Sequence, residues 1–222
     1  MQATIATAPY RIHRYPTQWI ESWELRNGRR ATLRPVLPQD DGLTRAFVGA
    51  LSATARRNRF HGALNGLSEA RAQEMTQIDY QRHMGFVITV TDGDEEVVIA
   101  DGRYVLGEDG ECAEFGVVVA DAWQGLGLGK RLIAALCKCA HRAGARWLCG
   151  DVLAGNRDML ALVERCGFNV RESGEDDAVL HVERSVAAEM PAARRSANES
   201  TFGALGHTLA AWLSPKGAAR GR

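Results

Sequence analysis

Hydrophobic and polar positions along the chain alternate between two periods. "RRATLRPV" (29–36) sets Ala31, Leu33 and Val36 among basic residues, the pattern of a strand. Next, Asp40 or Asp41 can cap a helix whose apolar stripe is Leu43, Phe47, Ala50 and Leu51, and a second helix is predicted over 68–79. Three strand-like runs follow at 85–91, 96–105 and 112–120. They are joined by turns with Asp92-Gly93 and Asp109-Gly110, which suit antiparallel connections. Residues 129–144 return to the helical period, with Leu132, Ile133, Leu136 and Ala140 on one face and Gly144 at the end. A strand (145–153), a short helix (156–168, apolar at Met159, Leu160 and Val163) and two strands (168–172 and 178–184) around the acidic turn "ESGEDD" complete the pattern. Such an order of strands and helices predicts a mixed α/β layer fold.

The flanks differ in character. Residues 1–22, broken by Pro9 and Pro16, read as a loosely structured lead-in to a domain over 23–184. Residues 185–222 are rich in Ala, Arg, Ser and Gly and read as a largely disordered tail, with Phe202, Leu205, Leu209 and Trp212 at helical spacing.

Composition changes this picture little. The 222 residues are 45% hydrophobic with a formal net charge of +0, enough for one sizeable core and no reason to expect a nucleic acid or an anionic membrane as partner. No apolar run approaches the ~18 residues of a membrane span, and the N-terminus lacks the apolar core of a signal peptide, so a cytoplasmic location is expected. Five scattered cysteines (112, 137, 139, 149 and 166) without a CxxC pair suit a reducing compartment and free thiols. Cys137 and His141 share a helix face at i, i+4, but buried free cysteine is the commoner fate and no metal is expected.

The chemistry concentrates in "QGLGLGK" (124–130). A nucleotide P-loop requires a glycine where Gln124 stands and a hydroxyl where Arg131 stands, so that reading fails. A dinucleotide fingerprint lacks its third glycine and its parallel strand. What remains is Gln/Arg-x-x-Gly-x-Gly/Ala between a strand and a long helix, met by Gln124, Gly127 and Gly129. Successive backbone N–H groups there can curl around a pyrophosphate at the positive end of the helix, with Lys130 and Arg131 adding countercharge.

"AEFGVVVADAWQGLGLGKRLI" followed by "NRDMLALVERCGF" resembles the two signature segments of the GCN5-related N-acetyltransferases (GNAT). "LRPVLPQDD", "LSATARRNRFHG" and "TQIDYQRHMGFVITV" further resemble the acetyltransferase domain of bacterial Pat-type protein-lysine acetyltransferases; the likeness covers about residues 22–184. It implies a GNAT fold: a mixed, largely antiparallel central sheet flanked by helices, with a V-shaped splay between the two central strands. It implies that acetyl-CoA lies in that splay as cosubstrate, its pantetheine arm along backbone groups of Val117 and Val119. The pyrophosphate would meet Gly125, Leu126, Gly127, Leu128, Gly129 and Lys130, with Gln124 at the entrance and Asn156 helping to hold the cofactor.

Acetyl transfer needs a neutral amine, whereas lysine with a pKa near 10.4 is almost fully protonated at neutral pH. Glu114 matches the position from which Pat-like members present a general base, and a charge inside "CAEFGVVVA" needs a partner or a role. An edge glutamate facing water is the alternative. A backbone N–H near Val118 or Val119 would serve the oxyanion. Val163 stands where many GNAT enzymes place a tyrosine acid, so no general acid is assigned. Cys149 and Cys166 invite a covalent acetyl-cysteine route, but buried thiols beside the cleft are the simpler reading. His61 and His83 belong to the acceptor side. The expected acceptor is a protein lysine. The alternatives are a small amine, with the acidic runs 91–96 and 107–111 as candidate cation receivers, or an acyl-CoA sensor without catalysis. Strand edges in this fold commonly pair, so a homodimer is compatible with the sequence.

Overall fold

Alternation over 83–119 becomes a meander, because Gly93 and Gly110 adopt the positive φ that tight reversals between right-twisted strands require. The computed structural model describes residues 13–62, 64–173 and 178–187. In chain order these residues form β1 (Glu21–Glu24), β2 (Arg30–Pro35), α1 (Asp41–Ala50), α2 (Ala53–Phe60), α3 (Glu69–Thr76), β3 (His83–Asp92), β4 (Glu95–Leu106) and β5 (Cys112–Val119). They continue with α4 (Leu128–Arg142), β6 (Trp147–Leu153), α5 (Arg157–Arg165), β7 (Asn169–Glu172) and β8 (Val179–Ser185). One eight-stranded sheet has the order β1-β2-β3-β4-β5-β6-β8-β7. Its neighbours are antiparallel except β5 and β6, which run parallel.

The two faces of the sheet are covered differently. α4 buries Leu132, Ile133, Leu136 and Ala140, the stripe the sequence predicts, against Phe86, Ile88, Tyr104, Phe115 and Leu148. On the opposite face α1 to α3 cover Val36, Val87, Val98 and Val118 with Phe47, Val48, Phe60 and Met75. Each side thus buries one apolar stripe, the condition for a layered domain.

Several expectations change. The lead-in is not loose from Tyr15 onward. The Tyr15 hydroxyl donates to the Pro35 carbonyl at 2.8 Å, Trp19 meets Phe86 edge-on at 6.1 Å, and β1 pairs with β2. α1 starts at Asp41, but Asp40 does not cap it with its side chain. The Asp40 carboxylate instead accepts two hydrogen bonds from buried Arg34 (2.6 and 3.0 Å) and one from the Leu37 amide (2.7 Å). α1 buries Thr44, Phe47 and Val48 and leaves Ala50 exposed. α2, unforeseen, follows directly. Cys112 and Cys149 are not free thiols: they form a disulfide between β5 and β6, leaving Cys137, Cys139 and Cys166 free. The tail beyond 187, including the stripe Phe202 to Trp212, and the turn at 174–177 lie outside the described residues. Among those described, no helix is long and apolar enough to cross a membrane.

Candidate active site

β5 and β6 pair only at Cys112–Trp147, Ala113–Leu148 and Glu114–Cys149, then diverge although both strands continue. Gly150 lies just past the last pair, where a Cβ would come within 2.9 Å of the Phe115 carbonyl. The missing side chain lets the strands stay close at the vertex of the V. Beyond it opens a cavity of about 780 Å³, walled by β5, β6, the 121–130 turn, the end of α2 and one side of α5.

Backbone alternation decides what β5 offers to that opening. The Ala120 amide donates to the Ile99 carbonyl and the Gly107 amide donates to the Cys112 carbonyl, so even-numbered residues of β5 turn their polar groups toward β4. The amides and carbonyls of Val117 and Val119 therefore face the splay, while the Val118 amide faces β4. Of the two expected oxyanion donors, only Val119 is free of the ladder. Side chains alternate too: Glu114, Gly116 and Val118 point to the α1–α3 face.

The glycine turn leads into α4. Gly125 and Gly127 have φ values of +75° and +80°, and no heavy atom lies within 4 Å of a Cβ built at either. A curled backbone with open space in front of it, at the N-terminus of a fifteen-residue helix, is the geometry that receives an anion. Gly129 has a different reason: a Cβ there would meet Leu162 of α5 at 2.8 Å.

Of the residues expected around the cofactor, Val117, Val118, Val119, Gln124, Gly125, Gly127, Leu128, Gly129, Lys130 and Asn156 line the cavity, as does Glu114. Leu126 does not; its side chain packs on the core. Arg131 also turns away, with its guanidinium 4.2 Å from the Trp23 ring centroid and 4.0 Å from Glu21. Helical rotation puts consecutive residues on different faces, so of these two cations Lys130 lines the cavity and Arg131 does not. The Gln124 side-chain amide donates to the Val119 carbonyl at 3.3 Å. Asn156 caps α5 by accepting from the Met159 amide, also at 3.3 Å.

Other residues at the site have no local signal in the sequence. Arg59, at the end of α2, has a buried side chain (3% exposed) that lies over Gly116. Burial lowers its guanidinium to about 10, opposed by the charge of Asp101. His61 follows in a left-handed conformation (φ 51°) and lines the cavity. Burial outweighs the attraction of Asp151 and lowers its imidazole. The His181 ring donates to the Asp151 carboxylate of β6 across the β6–β8 pair at 3.0 Å, and this hydrogen bond raises the imidazole of His181. His83 does not reach the cavity; burial pushes its imidazole down to about 3. Cys149 is held in the disulfide, and burial raises the Cys166 thiol, so neither is an activated nucleophile.

Residues 30–169 match the family model of the acetyltransferase (GNAT) domain. The chain belongs to the GNAT acetyltransferases. It is 35% identical over 165 residues to acetyltransferase PA5475 of Pseudomonas aeruginosa, a match covering 73% of this chain and 87% of that one. It is 32% identical over 145 residues to acetyltransferase Pat of Mycolicibacterium smegmatis, covering 65% of this chain and 43% of the longer relative. The crystal structure of the GNAT domain of S. lividans PAT superposes with a TM-score of 0.69 at 27% identity, covering 78% of this chain and 99% of that domain. This acetyltransferase is thus an acetyl-CoA-dependent N-acetyltransferase with a Pat-like GNAT fold, and the V of its sheet is the splay that the sequence resemblance implies.

Proposed function

We propose that this chain transfers the acetyl group of acetyl-CoA to a primary amine, foremost a lysine side chain of a protein, by direct attack within a ternary complex. The observation that carries the reading is the meeting of Glu114, at the last β5–β6 pair, with the glycine turn in one cavity. The backbone of residues 125–130 and Lys130 would hold the pyrophosphate, with Gln124 at the entrance and Asn156 alongside. Val117 and Val119 would pair with the pantetheine arm as an added strand does. The Val119 amide faces the splay and would donate to the carbonyl oxygen as negative charge develops on it.

Glu114 would accept the proton of the incoming ammonium, directly or through one water. Without such a base, a lysine would meet the thioester protonated, a handicap of roughly 4–5 kcal/mol at neutral pH. Val163, fully buried, stands at the position of the tyrosine acid and has no proton to give, so water would supply the proton of the departing thiolate. The preference for protein lysine rests on the likeness to Pat acetyltransferases.

The test is coenzyme A release from acetyl-CoA, with the macromolecular and small-molecule fractions of a cell extract offered separately. Release driven by protein, lowered at least about 100-fold in Glu114→Gln at pH 7 with unchanged acetyl-CoA affinity, supports the reading. Release by small molecules alone moves the acceptor to a small amine, and wild-type turnover in Glu114→Gln removes the base.

A further inference from the structure

Under the floor of the acceptor side lies a charge imbalance. Arg103 is fully buried and binds both oxygens of Asp101, from Nε at 3.1 Å and from Nη2 at 2.5 Å, while its Nη1 donates to the Met75 carbonyl. Asp101 is thereby occupied. Arg59, equally buried, reaches it only at 3.7 Å, beyond hydrogen-bonding range, and its Nε and Nη2 have no hydrogen-bond partner. Two guanidinium groups thus share one carboxylate in the interior, where an uncompensated charge is costly.

The guanidinium of Arg59 occupies the place of a side chain at position 116: a Cβ there would sit 2.6 Å from Nη1. Glu114 shares that strand face two residues away, about 6.7 Å along β5. The groups acting on Arg59 are Asp101 and Arg103 from β4 and Glu114 from β5. Arg59 in turn acts on His83 of β3 and on His61 at the end of α2, both held toward the neutral form by burial. Asp151 and Asp79 act on those two histidines; with Asp101 taken by Arg103, the other anion acting on Arg59 itself is Glu114.

We propose that Arg59 is a positioning residue for Glu114: its buried guanidinium, seated on Gly116, keeps the carboxylate at the vertex of the cleft ionised when acetyl-CoA covers it and excludes water. The inference rests on the acetyl-transfer reading above. It assigns α2 a catalytic purpose and gives Gly116 a reason to lack a side chain. A carboxylate losing its water beside a fixed cation remains a proton acceptor; without the cation, the same desolvation favours the neutral acid.

The test follows the carboxyl carbon of Glu114 by 13C NMR in protein labelled at glutamate Cδ and saturated with coenzyme A, the resonance being identified by its loss in Glu114→Gln. In Arg59→Met the titration midpoint should rise by about one pH unit or more, whereas Arg59→Lys, which keeps the charge, should stay within about half a unit of wild type. Turnover of Arg59→Met should fall more at pH 6.5 than at pH 8.5; a purely structural loss would lower both alike. Should Arg59→Met fail to fold, thermal unfolding of Glu114→Gln replaces it. Removing the counter-anion should lower Tm by several degrees, where a glutamate facing only water would leave it unchanged. An unmoved midpoint, or an unmoved Tm, overturns the role of Arg59 while leaving the acetyl-transfer reading intact. Wild-type turnover in Glu114→Gln overturns both.

Discussion

Gly127 combines a φ of +80° with the first position before α4, and a β-branched residue there is strained in that conformation whatever space surrounds it. Gly127→Val should therefore raise the acetyl-CoA dissociation constant at least about 10-fold by calorimetry, with little change in the core that α4 covers. His83 is a different residue-scale device. Its imidazole, held near 3 by burial, ordinarily titrates at 6.5. Between these values the unfolded chain binds the proton and the folded chain does not, so stability rises with pH across that window. The slope from this one residue is at most about 1.4 kcal/mol per pH unit. Urea unfolding at pH 7 and pH 5 should show that loss in wild type and a smaller one in His83→Gln. At this scale much of the lining of the candidate site was legible, because Gln124 to Lys130 and Val117 to Val119 are consecutive and carry their geometry locally. Arg131 was misread because a helix sorts neighbouring side chains onto opposite sides, whereas Leu126 turns only its side chain to the core and keeps its backbone in the turn. Arg59 and Asp151 reach the cavity from distant elements, and no local spacing announces them.

α2 escaped the sequence reading for a related reason. "ATARRNRF" has no apolar stripe. Its helix is held by a Ser52 cap, whose hydroxyl accepts from the Ala55 amide at 3.1 Å, and by Phe60 and Arg59 buried at its end. Ser52 is also bound to Asp121: its amide and hydroxyl donate to the two carboxylate oxygens at 3.1 and 2.8 Å, and these bonds hold the Asp121 carboxyl below its usual range. Ser52→Ala should cost about 1 kcal/mol for the cap, a fall in Tm of about 2–4 °C in a chain of this size. A loss confined to thermal unfolding, with acetyl-CoA affinity intact, would assign the serine to α2 alone. A joint loss would mean that the Asp121 link also supports the pyrophosphate turn. The strands of the meander and the face of α4 were read correctly because each is a long segment of one period. β1 is four residues long and mostly exposed, and only its pairing with β2 makes it a strand.

For the whole molecule, the parallel β5–β6 pair is both the shortest seam of the described sheet and the point from which the candidate cleft opens. It is three residues long in each strand, and the Cys112–Cys149 bond crosses it with a sequence separation of 37. The scattered spacing of five cysteines gave no hint of this bond, since only the crossover through α4 brings the two strands together. By loop-closure entropy a cross-link of that span contributes about 4 kcal/mol, and a reductant should lower Tm accordingly. Alkylation of unfolded protein should label the three cysteines 137, 139 and 166 before reduction and all five after it. A bond at the root of the active cleft also bears on how the protein is handled at the bench. Purified with or without thiol in the buffer, it is two covalent species that differ beside Glu114, and rates or affinities from the two preparations belong to different molecules.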